Sequence, residues 1–78
     1  MNKFDFYDWL MQIYKADNEK EKSFIYDLNR ILLNDKINIS DNDAIYDYYE
    51  NSLKPRNNAE YNEIFNSLKF DYKNYERN

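Results

Sequence analysis

The stretch NAEYNEIFNSLKFDYKNY, residues 58–75, sets Tyr61, Ile64, Phe65, Leu68, Tyr72 and Tyr75 at intervals of three and four. An α-helix carries all six on one face, whereas a strand would scatter them over both. Just before it, SLKPRNN holds Pro55, which pushes the preceding residue out of helical geometry, so a helix must start afresh near Asn57 or Asn58. Upstream of that break, Ile45, Tyr48, Tyr49 and Leu53 make a second inward stripe. Ser40 is the expected cap, with Asp41 and Asp43 favouring the positive helix start. Further back, Phe24, Leu28 and Ile31, with Ile25 and Leu32 beside them, form a stripe ending near Asn34. It is capped by Asp17 or Asn18, with Glu21 three residues after Asn18. At the start of the chain Asp5 is the N-cap of a helix reaching about Lys15, with Phe4 and Trp9 at the two positions of a hydrophobic staple.

Four helices are therefore predicted, at 5–15, 18–34, 41–54 and 58–75, with no credible strand pair. The fold class is all-α, a compact four-helix bundle. Seventy-eight residues permit one domain, 1–78, and no second core; its ordered part spans about 4–75, and the last few residues are expected to fray. So small a domain has a narrow margin between burial and chain entropy, and with no cysteine it has no disulfide to widen it. Aromatic residues, 19% of the chain, compensate through the large area each buries.

Composition also bounds the chemistry. The chain has no cysteine, histidine or glycine, which removes the usual parts for thiol or imidazole catalysis, zinc binding and phosphate-cradling loops. Fifteen acids against eleven bases give a formal charge of −4, so the molecule as a whole repels polyanions. Most charges are interleaved, as in NEKEK at 18–22, in the manner of a solvated helix surface. Ile37 to Leu53 differs, with Asp41, Asp43, Asp47 and Glu50 and no base. No apolar run approaches membrane-spanning length, and MNKFDFYDWL has acids where a signal peptide would be hydrophobic. A soluble, cytoplasmic protein is expected. The richness in Asn, Lys, Ile and Tyr, whose codons are AT-rich, is associated with low-GC bacteria and their phages.

Three segments carry a family resemblance. Phe6-Tyr7-Asp8-Trp9-Leu10 resembles the F-Y-x-W-L start of the YozE-like family, small proteins of low-GC bacteria and phages. Ile45-Tyr46-Asp47-Tyr48-Tyr49-Glu50 is similar to that family's I-x-x-Y-L-E segment, and Ile64-Phe65 with Tyr72 to its closing F-x-x-x-W-x-x-Y helix. Order and approximate spacing agree over most of the chain. Two places depart: Lys36-Ile37-Asn38-Ile39 replaces a Phe-Pro turn, and Leu68 or Lys69 stands where the late tryptophan is expected. The resemblance implies a sterile-alpha-motif-like (SAM-like) helical fold. It implies no activity and carries over no catalytic residues.

What remains is contact surface. Asp43 with Asp47, and Asp47 with Glu50, are neighbours at helical spacing. A calcium site, however, wants six to eight ligands on a glycine-turned loop, so solvated acids are the commoner outcome and no metal or cofactor is assigned. Ser23, Ser40, Ser52 and Ser67 have no histidine partner, and enzymatic activity is not expected. Trp9, Phe24, Phe65 and Tyr72 fall on core stripes, whereas Phe70, Tyr26 and Leu33 lie away from theirs. In the first helix Tyr7, Met11 and Tyr14 form a row beside the Phe6, Trp9, Leu10, Ile13 row, so the helix is either central to the bundle or presents a docking face. The expected partner-binding set is Tyr7, Met11 and Tyr14, bordered by Asp43, Asp47 and Glu50. The expected role is a non-enzymatic protein-interaction module for a protein partner, with a basic partner among the options, because dispersed Lys and Arg make no stripe for nucleic acid. The alternatives are a phage-type inhibitor whose carboxylates imitate phosphates, and a SAM-like nucleic-acid-binding domain.

Overall fold

The computed structural model describes residues 3–77; of the predicted domain 1–78, residues 1, 2 and 78 lie outside the described residues. Among those described there are four α-helices and no strand: α1 Phe6–Gln12, α2 Glu19–Asn34, α3 Asn42–Tyr48, which runs on into a π-helical turn Tyr49–Leu53, and α4 Ala59–Arg77. The radius of gyration is 12.0 Å, close to the roughly 11.5 Å expected of a compact chain this long. Among the described residues, no helix is long and apolar enough to cross a membrane.

Side-chain oxygens set where the helices begin. Asp5 accepts from the Asp8 amide, Asn18 from Glu21 and Asp41 from Ala44, and Asn58 accepts from the Tyr61 amide at 2.8 Å. Each satisfies an amide that the helix itself leaves unbonded. Asn18 therefore takes the cap for which Asp17 also competed. Ser40 does not cap α3. Its amide is turned back onto Asn38 Oδ1 at 3.1 Å, one residue too early, and Asp41 has the extended backbone the position requires.

α1 is shorter than predicted. The Ile13 and Tyr14 amides both donate to the Trp9 carbonyl at 2.9 Å, which closes the helix in a wide turn three residues before Lys15. Ile13 consequently leaves the inward row and is 44% exposed. Phe4 does not sink into a staple either: its side chain is 41% exposed. The backbone at Phe4 is what is held, its amide donating to the Tyr75 hydroxyl at 3.1 Å and its carbonyl accepting from the Tyr72 hydroxyl at 2.7 Å. α4 continues through Arg77, beyond the expected fraying point.

Phe6, Trp9, Leu10, Phe24, Leu28, Leu32, Ile45, Tyr49, Leu53, Phe65, Leu68 and Tyr72 make one buried core, fed by every helix. Phe6 lies at its centre with no exposed surface and meets Tyr46, Phe65 and Tyr72 edge-on, with ring centroids 5.4–6.1 Å apart. Tyr49 stacks flat on Phe65 at 3.8 Å. Such pairs add about 0.5–1.5 kcal/mol beyond the area they bury.

The third stripe differs from expectation at one position. Tyr48 is only partly buried, with its hydroxyl donating to Asp35 Oδ2, while Tyr46 turns its ring onto Phe6 and Phe65. The π-turn, closed by Lys54 N–H to Tyr49 O at 2.8 Å, widens the helix so that Ile45, Tyr49 and Leu53, four residues apart, all stay on the core side. Beyond it, the Tyr49 hydroxyl donates to Asn62 Oδ1 at 2.6 Å and accepts from Asn57 Nδ2 at 3.2 Å. The turn around Pro55 is thus fastened to the start of α4.

Candidate functional site

Tyr7, Met11 and Tyr14 face α2, and the three have different environments. Tyr7 is half-buried and its hydroxyl donates to Asn29 Oδ1. Tyr14, reaching inward from the turn after α1, has its ring 5.2 Å from Trp9 and donates to Glu21 Oε1 at 2.6 Å. Met11 remains at the surface, 36% exposed. The two tyrosines thus fasten α1 to α2, and the open part of the row is Met11.

Between those fastenings runs a groove of 350 Å³ lined by Leu10, Met11, Tyr14, Ala16, Lys22, Ile25, Tyr26 and Asn29. Tyr26, off its helix stripe by sequence, projects beside it at 70% exposed, and Leu33, seven residues on, is 51% exposed. Its apolar floor and few polar groups have the composition of a contact surface. Phe70, the third residue off its stripe, is 65% exposed on α4.

The acids of the expected site lie elsewhere. Asp43 lines a different groove, of 660 Å³, among residues of the chain start, the start of α3 and the end of α4, including Asp5, Tyr46, Tyr72 and Glu76. It shares no lining residue with the Met11 groove. Glu50 pairs with Lys54 at 3.3 Å, and Asp47 is exposed; neither lines either groove. The acids Asp41, Asp43, Asp47 and Glu50 are all exposed. Along the sequence, residues 37–53 hold four of the fifteen acids and no base; in space, Lys54 pairs with Glu50, and Lys3 and Lys73 line the Asp43 groove. Among the described residues no cluster of three or more metal-ligating side chains is assembled.

The electrostatics of the Met11 groove centre on Tyr14. Burial, then the hydrogen bond to Glu21, then the charges of Glu21, Asp17 and Asp71 push the Tyr14 hydroxyl well above the ordinary tyrosine range. Glu21 also accepts from the Asp17 amide at 3.2 Å. The Tyr14 hydroxyl is therefore held among carboxylates, while the one charged residue that lines the groove itself is Lys22. Glu21, seven residues along the sequence, is the main charged partner, and Asp71 of α4 adds the smallest contribution.

Among known proteins, no family model matches this chain, and neither does any curated protein or solved structure.

Proposed function

We propose that the protein is a small, non-enzymatic protein-interaction module that docks a protein partner along the α1–α2 groove. The observation that carries this reading is the α1–α2 groove, lined by Leu10, Met11, Tyr14, Ile25 and Tyr26, where Met11 is 36% and Tyr26 70% exposed. Methionine adapts to irregular surfaces and tyrosine gives a large contact at low entropy cost, so the pair suits an interface centre. The YozE-like resemblance and the SAM-like fold it implies agree with this reading, since folds of that class serve binding; the same fold class would also admit nucleic acid. Charge favours a protein partner: the formal charge of −4 and the exposed acids between residues 41 and 50 would repel phosphates. The test is affinity capture from a bacterial lysate, with and without nuclease, using the wild type and a Met11→Glu, Tyr26→Glu variant. Capture that survives nuclease and is lost in the variant supports the proposal. Nuclease-sensitive capture, or capture that the variant retains, overturns it.

A second reading rests on the base-free run of exposed acids from Asp41 to Glu50, whose carboxylates resemble a row of phosphates to a basic channel. In that role the acids, and not the groove, would carry affinity.

A further inference from the structure

We draw no further inference here: the strongest candidate, the outer face of α4 around Phe70, is an exposed aromatic beside exposed Lys73 and Arg77, and nothing in the structure shows what covers it.

Discussion

Asn42 joins three parts of the molecule through one amide. Its Oδ1 accepts from the Phe6 amide at 2.9 Å, and its Nδ2 donates to the Tyr72 hydroxyl at 3.4 Å; that hydroxyl in turn donates to the Phe4 carbonyl. Replacing it leaves half-buried groups without partners, so Asn42→Ala is expected to cost about 1–2 kcal/mol. A urea midpoint unchanged from wild type would contradict this. The sequence could not single out Asn42, whose partners lie 36 and 30 residues away. Trp9, Phe24, Phe65 and Tyr72 were legible, because helical periodicity marks a core residue without reference to its neighbours, and all four are 4% exposed or less. Tyr7 and Tyr14 show the limit of that signal. Periodicity put them on a second row, but only the arrival of Asn29 and Glu21 from α2 decides that their hydroxyls are fastened and Met11 is left open.

At the scale of elements, the helices were legible from caps and stripes, and the errors are local. α1 stops early because the wide turn at Trp9 lets Tyr14 reach the core from outside the helix, so the apolar spacing outlasts the helix. α3 gains a π-turn that no residue type announces. The end of α2 follows the same logic. Lys36 sits in the left-handed region at φ 57°, its amide donating to Leu33 O at 3.2 Å, while the Ile37 amide donates to Leu32 O at 3.0 Å. This is a Schellman closure, with Ile37 packing against the core. Glycine usually occupies that position, and this chain has none. A left-handed lysine costs about 1–2 kcal/mol, and glycine returns part of that gain through its greater chain entropy. Lys36→Gly is therefore expected to stabilise the protein by on the order of 0.5–1 kcal/mol. Thermal melts showing a destabilised variant would mean that the lysine side chain contributes more than its backbone costs.

The molecule as a whole is fastened by tyrosines, and this has a pH signature. Burial foremost raises the hydroxyls of Tyr14, Tyr46, Tyr49 and Tyr72 above their ordinary value, and the hydrogen bond to Asp35 raises Tyr48. Unfolded tyrosines ionise near pH 10, so above that pH the native state holds more protons than the unfolded one and stability falls as pH rises. The contribution is intact below about pH 10 and is lost as pH climbs through the raised native values. Urea midpoints should be flat through neutrality and drop above about pH 10, with much of the tyrosinate absorbance appearing together with unfolding. Full tyrosinate absorbance with the helical signal intact would contradict this. The charge distribution gives a second whole-molecule expectation. Because Asp43 and Asp47 are exposed acids in the base-free sequence 37–53, Asp43→Asn with Asp47→Asn should slow association with a basic partner and reduce its salt dependence, leaving dissociation little changed. If instead dissociation accelerates strongly, these acids belong to the contact, as the phosphate-mimic reading requires. The central claim is the docking face, and the most direct measurement is the footprint of the captured partner on the backbone amide resonances of the protein. The account predicts shifts concentrated at Met11, Ala16, Lys22, Ile25 and Tyr26; shifts centred on Asp43, Asp47 and Glu50, with the α1–α2 groove silent, would contradict it.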